Sequence, residues 1–125
     1  MIIFQSSNGD PMLLDSPRGL RELDRQFRAF LESSSTRASF PAITTGDPAP
    51  YSARLADLRV EKTQGPSQLL LAGDRWLELT ACPHELSQFA NALSRLKDGN
   101  HHHWYTSPVA LIIEADEWHA NCESG

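Results

Sequence analysis

His101, His102 and His103 stand in a row inside GNHHHWYTSPVALIIEADEW, residues 99–118, with His119 directly after it. Side chains alternate across an extended backbone, so His101, His103 and Tyr105 fall on one face. His102, Trp104 and Thr106 fall on the other. If Trp104 turns to the core, His102 goes with it, and His101 and His103 become a side-by-side exposed pair. Two imidazoles at that spacing are half of a zinc site, and HANC adds His119 and Cys122 as further ligands. No Asp or Glu completes that set at a recognisable spacing, so we expect no metal. The pair is then either a contact for a partner or a solvated, structural feature. Asp116, Glu117 and Trp118 follow the apolar run. They read as a solvated strand end or as a binding rim, since an exposed tryptophan anchors interfaces well.

Nucleophilic catalysis needs a nucleophile held by a base that is itself oriented. Cys82 precedes a predicted helix, where a thiolate is stabilised. His84 is too near in sequence to imply a productive pair. No G-x-S-x-G, P-loop, G-x-G-x-x-G or H-E-x-x-H motif is present. The residues therefore nominate no catalytic group and no cofactor site.

The chain's bulk properties narrow the partners. Its 125 residues suit one domain, and 40% hydrophobic with 22% charged residues is an ordinary globular balance. Eleven Lys and Arg against 16 Asp and Glu leave a net charge of -5. That argues against nucleic acid, whose binding leans on cations, and is compatible with a basic protein partner. Two cysteines, Cys82 and Cys122, make no disulfide framework. MIIFQSS lacks the parts of a signal peptide, and no apolar run approaches a membrane span. A cytoplasmic, soluble protein is expected.

The elements that must position the histidines follow from periodicity. MIIFQSS and PMLLD read as short strands around the turn signal NGD. SPRGLRELDRQFRAFLES reads as a helix over 17–31. Ser16 caps it, Pro17 opens it, and Leu20, Leu23, Phe27, Phe30 and Leu31 share a face. Residues 33–53, rich in Ser, Thr, Pro and Gly, read as a long loop or an irregular edge segment. RLADLRVEKTQ alternates as a strand with Leu58 and Val60 inward. QLLLAG and RWLELTA read as a hairpin about Gly73 and Asp74. A second helix over 84–96 carries Leu86, Phe89, Ala90, Leu93 and Leu96, with Lys97 and Gly99 suiting its end. HHHWYT is extended, and VALIIEA reads as a central strand covered on both faces. The two halves match in outline. The expectation is one α+β domain, a two-layer, mostly antiparallel sheet carrying two helices, with an internal ββαβ pseudo-duplication. Residues 119–125 are expected to form a mobile tail.

Taken in order, LLLAGDRWLELT, ELSQFANALSRL, HHHWY and SPVALIIEADEW resemble the bacterial family called immunity protein 32 across residues 55–118. The triple histidine and the LIIE of Leu111 to Glu114 carry most of the likeness. The resemblance implies a small cytoplasmic protein that binds and neutralises a cognate secreted toxin of a contact-dependent or type VI secretion system, without catalysis. It brings no catalytic residue, only the histidine positions as structural or contact residues. The expected partner-binding set is His101, His103, Tyr105, Asp116, Glu117 and Trp118, meeting a basic toxin protein rather than nucleic acid or membrane. Two other readings stay open: a small metal- or thiol-dependent enzyme using His101, His103 and Cys82 or Cys122, and a structural or regulatory subunit that dimerises through a sheet edge.

Overall fold

Pro17 and Pro83 each open a helix directly after a strand, and the chain is built twice around that junction. The computed structural model describes residues 1–5, 9–45, 53–72 and 75–117. The first half runs β1 (Ile2–Gln5), β2 (Met12–Asp15), α1 (Pro17–Glu32), β3 (Arg37–Pro41), β4 (Ala53–Arg54) and β5 (Asp57–Lys62). The second runs β6 (Gln68–Ala72), β7 (Trp76–Ala81), α2 (Pro83–Arg95), β8 (His101–Trp104), β9 (Ser107–Pro108) and β10 (Leu111–Ala115). The fold class is α+β.

Both helices start for the same reason. Ser16 and Cys82 are extended residues ahead of a proline whose missing N–H costs a first turn nothing. Ser16 Oγ accepts the Gly19 N–H at 3.0 Å, whereas Cys82 makes no side-chain cap bond. The buried stripes then coincide at three positions. Leu20, Leu23 and Phe27 of α1 correspond to Leu86, Phe89 and Leu93 of α2.

The strands do not stay with their own halves. One sheet has the order β4-β1-β2-β10-β8 and the other β3-β5-β7-β6-β9. Replacing each element of one half by its counterpart in the other converts the first order into the second. Each hairpin, β1–β2 or β6–β7, is extended by the closing strand of the opposite half, in parallel: β2 with β10, β5 with β7. The ends differ, since β4 pairs antiparallel to β1 while β9 runs parallel to β6. The expected pseudo-duplication is therefore present as an exchange of strands, and the architecture corrects the expectation of a single sheet. Each half alone leaves its hairpin and its closing strand apart; only the exchange gives both hairpins a parallel neighbour.

One apolar core joins the inner faces of both sheets and both helices. At its centre the Phe27 ring stacks on Phe40 at 5.1 Å and meets Phe89 at 5.2 Å. A smaller cluster of Ile2, Phe4, Met12 and Leu14 lies on the other face of the first sheet, with Ile43 and Ile112 against it. Among the described residues every fully buried one is apolar.

Three local expectations are corrected. Residues 33–53, read as a long loop or an irregular edge segment, do hold a sheet edge, but a regular one: β3 is held to β5 by five paired residues, because Ala38 and Phe40 alternate inward within an otherwise polar stretch. β10 is not covered on both faces: Leu111, Ile113 and Ala115 are buried, but Ile112 and Glu114 are half-buried, and only β8 lies beyond it. Gly99 does not end α2, which stops at Arg95. The hairpin turn at Gly73 and Asp74 lies outside the described residues, though its strands pair as expected.

Candidate partner-binding face

The strand that carries the histidines is aimed by the turn before it. The Asn100 N–H closes on the Lys97 carbonyl at 3.0 Å, and Gly99 sits at φ 85. Gly99 and Asn100 together face Ala115: the Gly99 N–H donates to the Ala115 carbonyl at 2.7 Å, and the Ala115 N–H donates to the Asn100 carbonyl at 2.9 Å. Two residues against one is a β-bulge, with glycine at the position that needs positive φ. The bulge fixes the register that follows, with Glu114 opposite His101, Ile113 opposite His102, Ile112 opposite His103 and Leu111 opposite Trp104.

That register separates the side chains as alternation requires. Trp104 turns inward and meets the Phe89 ring edge-on at 5.4 Å. Its indole N–H is buried and has no acceptor among the described residues. His102 follows it to the helix side, where it borders a groove with Gln88, Asn91 and Arg95 of α2. His101 and His103 share the opposite face, exposed, with ring centroids 5.4 Å apart. Tyr105 continues the stripe, stacked on His103 at 5.9 Å and 82% exposed. Just beyond Tyr105 the chain leaves the first sheet, and β9 ties it to β6 of the second.

Carboxylates collect at the other end of the stripe. Glu114 stands across from His101. The Asp116 N–H donates to the Asp15 carbonyl at 3.0 Å, and the Glu117 N–H donates to Asp98 Oδ1 at 2.8 Å. Asp98, Glu114, Asp116 and Glu117 thus surround the start of β8, with Lys97 the cation in the adjoining turn. The structure brings together five of the six expected contact residues: His101, His103 and Tyr105 along one strand, Asp116 and Glu117 beside its start. Trp118, the sixth, lies outside the described residues, as do His119 and Cys122. Asp98 was not anticipated. Its signal was present in Asp98-Gly99, a turn pair immediately before the strand.

The other chemical candidates are separate from this face. Among the described residues no three His, Cys, Asp or Glu side chains group as a metal ion requires. Cys82 is a half-buried free thiol at the start of α2. His84 points along the same helix and shares a 3.3 Å hydrogen bond with Gln88. Among the described residues no helix is long and apolar enough to cross a membrane.

What the arrangement can do follows from its parts. Histidine and tyrosine rings on a rigid strand offer apolar area that loses little rotamer freedom, and a neighbouring acidic end attracts cations. Compared with protein-family models, curated proteins and solved structures, the chain matches none of them.

Proposed function

We propose that this chain is a bacterial immunity protein that binds a cognate, basic toxin stoichiometrically and neutralises it without turnover. The observation that carries the reading is the exposed His101–His103–Tyr105 stripe running into an acidic end at Glu114, Asp116 and Glu117. The net charge of -5 and the resemblance over residues 55–118 support it. The carboxylates steer a basic partner and speed encounter, an effect that salt screens. The rings then exclude water at the contact. Cytoplasmic residence is part of the same proposal, for a toxin that acts in the cytoplasm.

Co-expression with the toxin encoded beside it tests the proposal. Cells survive, and a stoichiometric complex forms at micromolar concentration. Asp116→Lys with Glu117→Lys slows association while leaving the fold intact. Death of cells that contain abundant folded protein, together with no complex, sinks the reading.

A further inference from the structure

We infer that the partner docks by adding an extended segment of its own backbone to the outer edge of β8. The inference rests on the toxin-binding reading above and specifies its geometry. β8 is the last strand of its sheet, and among the described residues it pairs with β10 alone. In an antiparallel ladder, hydrogen-bonded and non-hydrogen-bonded pairs alternate. Ala115 and Asn100 form a bonded pair through the Ala115 N–H. The next bonded pairs are then His102 with Ile113 and Trp104 with Leu111. His101 and His103 therefore direct their N–H and C=O groups away from β10, toward the edge. These are the same residues whose rings form the exposed stripe.

The counterpart edge shows what a closed edge looks like in this fold. β3 occupies the equivalent place in the second sheet, with Arg37 where β8 has His101 and Pro41 where the chain after β8 has Tyr105. Arg37 holds Glu61 across the strands at 3.0 Å. A charge and a proline are the usual guards against edge pairing. β8, reading HHHW, carries no proline, lysine or arginine. It presents donors and acceptors on a strand already fixed by the Gly99 bulge and the Trp104–Phe89 contact. Charge names the occupant. Asp98, Glu114, Asp116 and Glu117 lie at the His101 end, so the incoming strand carries Lys or Arg there and rests its other side chains on His103 and Tyr105.

The test separates backbone pairing from side-chain contact. His103→Pro removes an outward N–H while leaving the ladder to β10 complete; His103→Ala removes the ring and keeps the N–H. Both are titrated with the purified toxin encoded beside the chain. Provided both variants melt like the wild type, His103→Pro weakens binding about tenfold or more beyond His103→Ala, as losing edge hydrogen bonds requires. Amide exchange at His101 and His103 slows in the wild-type complex, a readout independent of the proline variant's folding. If His103→Pro binds as tightly as His103→Ala, and those amides stay unprotected in the complex, the strand-addition geometry is wrong and the toxin-binding reading survives. If the wild type forms no complex, both fall. If the same amides become protected when the protein is merely concentrated alone, a second copy occupies the edge and the assignment to a basic toxin is overturned.

Discussion

Phe4, Met12, Ile112 and His103 form one row across the outer face of the first sheet; Leu70, Glu78, Arg59 and Ser39 form the equivalent row on the second. The next row pairs Ile2, Leu14, Glu114 and His101 with Gln68, Thr80, Glu61 and Arg37. The inner faces of the two sheets are alike, but the outer faces are opposite in character. On the first sheet, Ile2, Phe4, Met12 and Leu14 are buried and form a second apolar cluster, with Ile43 and Ile112 packed against it. On the second, Arg59 lies 3.6 Å over the Trp76 ring and bonds Asp57, while the Trp76 indole N–H donates to Glu78 at 2.9 Å. That face is a solvated ladder of paired charges, such as an open sheet carries. The comparison teaches where recognition can sit. The first sheet is buried on both faces at β1 and β2, is half-covered on its outer face at Ile112 and Glu114 of β10, and emerges at β8. β8 is thus a rigid edge, whereas the polar groups of the second sheet are already engaged with one another.

The widest gap between the sheets is expected at Leu14 and Thr80. Leu14→Asn leaves a buried amide beside a void and costs on the order of 3–5 kcal/mol. Thr80→Asn, at the equivalent place on the open face, changes stability by less than about 1 kcal/mol. Chemical denaturation of both variants checks this; equal losses would mean the two outer faces are equally buried. Gly99→Ala comes next. A side chain at φ 85 costs roughly 1–2 kcal/mol and disturbs the register of β8, while β3 keeps its own. Two-dimensional amide spectra locate the disturbance, which contradicts the role given to the bulge if it spreads evenly over both sheets. The smallest effects lie at the helix caps and have opposite signs. Ser16→Ala loses about 1 kcal/mol, and Cys82→Ser gains up to about 1 kcal/mol by supplying the cap that α2 lacks. Melting temperatures moving in the same direction for both would contradict the assignment of Ser16 and Cys82 as counterparts.

Much of this was legible in local pattern. Both helices, their proline starts and the alternation of Leu58, Val60, Leu77 and Leu79 are written in spacing that local geometry decides. The splitting of His101 and His103 from His102 and Trp104 was equally readable, since alternation leaves no other arrangement once Trp104 seeks the core. The exchange of strands was not legible. Both sheets bury the same kind of alternating residues, so hydrophobic pattern does not say which hairpin a closing strand joins. β3 was obscured because its inward pair, Ala38 and Phe40, sits among serines, threonine and arginine that mark an edge rather than a loop. Asp98 is legible as a turn residue in the Asp98-Gly99 pair, but its bond to the Glu117 N–H spans a sequence distance that spacing does not reveal.

Calorimetric titration of the toxin into three proteins tests the central claim most directly: the wild type, a Tyr105→Ala, Asp116→Lys, Glu117→Lys variant, and an Arg37→Ala, Ser39→Ala variant of the counterpart edge. The account predicts a stoichiometric wild-type complex, a loss of about tenfold or more for changes on the β8 side, and near-wild-type affinity for changes on the β3 side. Equal losses at the two edges, or a loss confined to β3, would contradict it.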